Sequence, residues 1–142
     1  MTNIKLLTKE QQNVFLFGGN LSLFSNLITG KYMVDVQDKI LFIEDLGFES
    51  PPGMISNYLY KMKQNGVFNK IKGLWIGNYE HESGITLEKI VMDTLEKPKF
   101  PIIKSDNFGH GELKTVIPIA IKATTETKEK ELIKLVENCV ES

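Results

Sequence analysis

Apolar and polar positions alternate along the chain in two periods, one of helices and one of strands. Val14 to Phe17 forms a short apolar run, followed by the turn residues Gly18, Gly19 and Asn20. Asn20 is placed to cap a helix whose apolar positions are Leu21, Phe24, Leu27 and Ile28, with Gly30 as its stop. Lys39 to Glu44 is a continuous apolar run closing on a charge, the pattern of a strand buried on both faces. After the turn Ser50 to Gly53, the residues Met54, Ile55, Tyr58, Leu59 and Met62 recur at helical spacing up to Gly66. Gly73 to Gly77 predicts a second buried strand, and Tyr79 to Gly84 a polar loop. Leu87, Ile90, Val91 and Leu95 mark a helix that Thr86 can cap and Pro98 halts.

Beyond it, Pro101 to Lys104 predicts a short strand and Ser105 to Glu112 a loop holding Gly109, His110 and Gly111. Thr115 to Ala123 predicts a strand or hairpin arm, with Pro118 arguing against a central position for part of it. Leu132, Leu135, Val136, Cys139 and Val140 predict an amphipathic final helix, whose apolar face could serve a homodimer. The sum is a mixed α/β domain of roughly five strands and four helices.

Composition narrows the classes. The 142 residues suit one domain, residues 1–142, with core enough to fold without disulfides or metals. A net charge of −1 provides no basic field for nucleic acid or an anionic membrane surface. The apolar runs are too short to span a bilayer, and Met1 to Thr8 lacks a signal-peptide core. The single cysteine, Cys139, allows no internal disulfide and suits a reducing compartment, so the expected location is cytoplasmic.

Two residues carry candidate chemistry. Glu44 stands where a buried strand emerges, the edge at which open α/β sheets place their sites. His110 lies between two glycines that leave its ring accessible and let the backbone approach a ligand closely. A carboxylate on one ring nitrogen fixes the tautomer and leaves the other free to take a proton from a nucleophile. Asp45 rivals Glu44 for that place, and position along the strand does not choose between them. A solvated acid and a surface turn histidine are the plain alternatives.

No nucleophile is visible. Ser22, Ser25, Ser50, Ser56, Ser83, Ser105 and Ser142 all lie outside a G-x-S-x-G elbow, and Ser105 has only nearness to His110 in its favour. Cys139 falls on the apolar face of the expected last helix, which predicts a core residue. Glu80, His81 and Glu82 gather possible metal ligands, yet without an H-E-x-x-H pattern a solvated loop is the better reading. The Gly18 to Asn20 turn lacks both G-x-G-x-x-G and P-loop spacing, and Trp75 predicts core.

Four blocks in order resemble the C-terminal half of the LD-carboxypeptidase family, which includes murein tetrapeptide carboxypeptidases and microcin C self-immunity proteins. They are Gly18 to Phe24, Lys39 to Asp45 with Pro51 and Pro52 after it, Asn65 to Gly77, and Phe108 to Gly111 running into Ile117 to Ile119. The resemblance implies a swivelling β/β/α-type domain with a mixed sheet. It also implies a Ser–Glu–His triad whose serine sits in a separate N-terminal domain. By motif, the family's Glu is Glu44 and its His is His110. The implied substrate is a small peptide: an L-D amide of muropeptides, or a peptide–nucleotide of the microcin C kind. No metal and no organic cofactor is implied.

The sequence departs from the family where Gly53, Met54 and Ile55 stand in place of an Arg-bearing stretch, which unsettles substrate preference. The stretch Thr8 to Asn13 looks like the end of an interdomain linker, so the expectation is a C-terminal domain without its nucleophile domain, inactive alone. A non-enzymatic orphan domain that binds a peptide or protein partner is the alternative. A small enzyme centred on His81 or Cys139 is a third.

Overall fold

A computed structural model describes residues 14–109, 117, 119–120, 122–125 and 133–135. The elements run β1 (Val14–Asn20), α1 (Leu21–Ile28), β2 (Ile40–Glu44), α2 (Pro52–Gln64), α3 (Val67–Lys70), β3 (Gly73–Asn78), α4 (Leu87–Leu95), β4 (Ile102–Gly109), β5 (Lys122–Thr125) and β6 (Ile133–Leu135). They form one mixed sheet in the order β4-β3-β2-β1-β5-β6. Strands β1 to β4 run parallel to one another, while β5 runs antiparallel to β1 and to β6.

Successive parallel strands step in one direction across the sheet, and right-handed crossovers therefore put α1, α2 and α4 on a single face. Side-chain alternation sorts the core accordingly. Leu41, Ile43, Leu74 and Ile76 face the helices and meet Phe24, Ile55, Leu59, Met62 and Ile90. Ile40 and Phe42 point the other way, into a second cluster with Leu16, Phe108, Ala123 and Trp75. All five residues of β2 are buried because both faces of the sheet are covered there.

The cap residues act as their sequence positions predict. Asn20 Oδ1 accepts from the Leu23 N–H at 3.2 Å, and Thr86 Oγ1 accepts from the Lys89 N–H at 3.2 Å.

Four expectations change. Gly18, Gly19 and Asn20 belong to β1 and pair with Phe42, Ile43 and Glu44, so the strand continues where a turn is expected. Strand β4 runs on through 105–109, where the polar composition predicts a loop. Pairing with β3 extends it, although irregularly: Ile76 opposes Lys104 and Asn78 opposes Gly109, so β3 advances two residues while β4 advances five. The strand expected from Thr115 to Ala123 is interrupted, since Ile119 and Ala120 form a turn with Ala120 at φ 60° and β5 starts at Lys122. The expected final helix is replaced at Ile133–Leu135 by β6. Ile133, Lys134 and Leu135 alternate at strand period inside a helical stripe, and pairing with the open edge of β5 decides between the two. The helical face on which a dimer contact was expected is thus not formed at these residues. Positions 136–142, with Cys139, lie outside the described residues.

Candidate active site

The four parallel strands end together at one edge, on Asn20, Glu44, Asn78 and Gly109. In open α/β sheets this carboxyl edge is where ligands bind. Asn20 pairs with Glu44 and Asn78 with Gly109.

Strand alternation separates the two adjacent acids. Asp45, 2% exposed, lies past the end of β2 beside the N-terminus of α1. Its carboxylate accepts from the Ser22 N–H at 2.9 Å, from the Leu46 N–H at 2.8 Å and from Asn20 Nδ2 at 3.4 Å. It therefore complements the open donors and positive end of that helix. Replacing Asp45 by Ala is expected to lower stability by about 2 kcal/mol, since two backbone donors lose their acceptor. Chemical denaturation measures this, and an unchanged midpoint would contradict the capping role.

Glu44 takes the opposite parity, on the side of Phe42, and is buried with 9% exposure. The backbone of Gly109 closes over it. A Cβ built on Gly109 would stand 2.9 Å from Glu44 Cβ and 3.1 Å from Glu44 Oε2. Gly109 also holds φ 96°, so both the space and the conformation require glycine. The close approach made by this glycine is to the acid side chain. His110 follows by one peptide bond and lies outside the described residues.

Phe108 fixes how β4 arrives there. Its ring, 3% exposed, packs edge-on against Trp75 at 4.7 Å and Phe42 at 6.0 Å between centroids. It fills the space beside Gly77, where a Cβ would come within 2.5 Å of the ring. The loops around the edge are tied as well. The Tyr79 hydroxyl donates to the Ser50 carbonyl at 2.9 Å, and burial, with Asp45 close by, pushes that phenol above its ordinary range. Gly47 touches the Glu80 backbone so closely that a Cβ there would overlap the carbonyl oxygen.

The remaining candidates are engaged in local contacts of their own elements. Ser22 Oγ donates to Asn20 Oδ1 at 2.6 Å and Ser25 Oγ to the Ser22 carbonyl at 3.0 Å, so both serve α1. Ser105 sits inside the irregular stretch of β4. His81 Nδ1 is 2.8 Å from Ser83 Oγ in its loop, and Glu80 and Glu82 are exposed. Among the described residues no three His, Cys, Asp or Glu side chains are placed to hold a metal ion. Trp75 belongs to the second core, as its strand position predicts.

Gly77 and Phe108 stand in the family-like blocks, but their contact is not evident from the sequence. The available signal was glycine inside a strand, which marks a close approach.

Compared with known protein families, residues 15–125 match the LD-carboxypeptidase C-terminal domain. The chain belongs to this family. A probable murein peptide carboxypeptidase of Bacillus subtilis (strain 168) is 29% identical over 121 residues, covering 81% of this chain and 37% of the relative. Two solved structures share the LD-carboxypeptidase C-terminal fold. The microcin C7 self-immunity protein in complex with aspartyl sulfamoyl adenosine superimposes with a TM-score of 0.77 at 20% identity, over 92% of this chain and 39% of that one. Muramoyltetrapeptide carboxypeptidase from Oxalobacter formigenes gives a TM-score of 0.73 at 21% identity, over 90% of this chain and 44% of that one. The chain thus spans less than two-fifths of the length of the curated relatives it matches. No helix among the described residues of this LD-carboxypeptidase domain is long and apolar enough to cross a membrane.

Proposed function

We propose that residues 1–142 form the C-terminal domain of a two-domain serine peptidase and supply the Glu and His of its Ser–Glu–His triad. The observation that carries this reading is the approach of Gly109 to Glu44, which brings the residue before His110 against the buried acid. The name of the Bacillus subtilis relative directs the substrate towards murein peptides. The alternative substrate is a peptide–nucleotide conjugate of the microcin C kind, the subject of the structural neighbour.

In this reading a serine of the N-terminal domain attacks the carbonyl carbon of an amide between an L-centre and a D-amino acid. His110 takes the serine proton as the O–C bond forms and passes it to the departing amine as the C–N bond breaks. A water molecule then attacks the acyl-enzyme, giving its proton to His110, and the serine regains a proton as the acid leaves. Glu44 accepts the N–H of the other ring nitrogen, fixes the tautomer and stabilises the imidazolium. Glu44 therefore positions, and His110 moves the proton. The mechanism needs no metal or organic cofactor. The single cysteine fits a reducing cytoplasm, where we place the enzyme.

The test is release of a terminal D-amino acid from a muropeptide tetrapeptide. This chain alone is expected to release none, and the same sequence joined to a serine-bearing N-terminal domain of the family is expected to turn over. Steady release by this chain alone that survives Ser105→Ala would overturn the proposal.

A further inference from the structure

At the opposite edge of the sheet, where β3 and β4 begin, lies a groove of about 410 Å³. Its position follows from its residues. Lys72 precedes β3, while Lys97, Lys99 and Phe100 lie between α4 and β4. Lys63 in the last turn of α2 and Phe68 of α3 complete its charged and aromatic lining. The strand length separates it from Glu44 by about 20 Å, at about 3.3 Å per residue.

The lining contains four lysines and no acidic residue. The chain as a whole carries 17 basic against 18 acidic residues, so this clustering is not its average surface. Helix ends account for only part of it. Lys63 Nζ donates to the Thr94 carbonyl at 2.9 Å, complementing the negative end of α4. Two acids stand nearby: Glu96, 4.0 Å from Lys63, and Asp38, 3.2 Å from Lys72. Lys72 and Gln37 hold the Asp38 carboxyl below its ordinary range, so that acid stays ionised. Lys63 and Lys72 thus each have an acidic partner. Lys97 and Lys99 flank Pro98 and are exposed, and neither has an ion-pair partner among the described residues. Beside these cations Phe68 and Phe100 lie nearly parallel, 6.3 Å apart between centroids at 25°.

From this juxtaposition we infer a second binding site, for a phosphomonoester carrying a flat apolar group. Such a group has a charge near −2 at neutral pH, opposite in sign to Lys97 and Lys99, and three acceptor oxygens for ammonium donors. The apolar part lies along Phe68 and Phe100. The volume falls in the range of small-molecule sites. The chain contains no arginine, so the charged donors of the groove are all lysines.

The probe is phenyl phosphate, titrated into this chain at low ionic strength and followed by amide shifts and calorimetry. Saturable binding is expected, about tenfold tighter than inorganic phosphate, with phenol weaker still. The double variant Lys97→Ala/Lys99→Ala should lose at least about tenfold, and rising salt should weaken binding. Glu44→Gln should leave it unchanged, which keeps this site apart from the candidate active site. No saturation up to about 10 mM, or equal affinity in the double variant, would overturn the inference.

Discussion

In a fusion of this chain to a serine-bearing N-terminal domain of the family, Glu44→Gln is expected to lower kcat about 10⁴-fold, whereas Asp45→Asn stays within about threefold. The adjacent acids face opposite sides of the sheet. Asp45 already accepts two backbone N–H groups at 2.8 and 2.9 Å and serves the start of α1. Glu44 lies under Gly109, one residue from His110. Gln keeps the shape of Glu yet carries no charge to stabilise an imidazolium, and its amide can hold the ring in the wrong tautomer. The paired measurement is a steady-state comparison of the two variants with equal folded fractions. An equal loss in both would mean that the acid has been misassigned.

Gly18→Ala is expected to destabilise the domain by about 3 kcal/mol or more. Gly18 holds φ 149° in the middle of the sheet, and a Cβ would overlap the Phe42 carbonyl oxygen of β2 at 1.9 Å. The oxygen belongs to backbone, so no side-chain rotation relieves the overlap. Gly19 supplies the control. Its φ of 155° is similar, and nothing lies within 4 Å of its Cβ position. Gly19→Ala should therefore show the backbone strain alone, about 1 kcal/mol. Urea denaturation separates the two variants, with Gly18→Ala shifting the midpoint by more than about 1 M. Matching midpoints would contradict the close β1–β2 contact.

Much of this architecture is legible in the residues. The run Ile40–Glu44 announces a strand buried on both faces, and β2 is buried throughout. The caps Asn20 and Thr86 sit where their side chains bond. Local pattern fails where partners decide. The polar stretch 105–109 has no strand signature, yet β3 recruits it into β4. Ile133–Leu135 reads as helix until β5 supplies an edge to pair with. Within the candidate site, Glu44 stands out as the charge closing an apolar run. The division of labour between Glu44 and Asp45 does not, because it depends on which helix and which strand lie above each face. Gly77 and Phe108 were equally hidden, since a ring-sized notch is a relation between two strands.

An NMR titration of this chain alone tests whether Glu44 pairs with His110. The chain has two histidines, so His81 serves as an internal control. A neighbouring carboxylate stabilises imidazolium, so the His110 ring signals should titrate at higher pH in the parent than in Glu44→Gln. Coincident His110 curves in parent and variant would show that the acid and the imidazole do not meet, and would contradict the account.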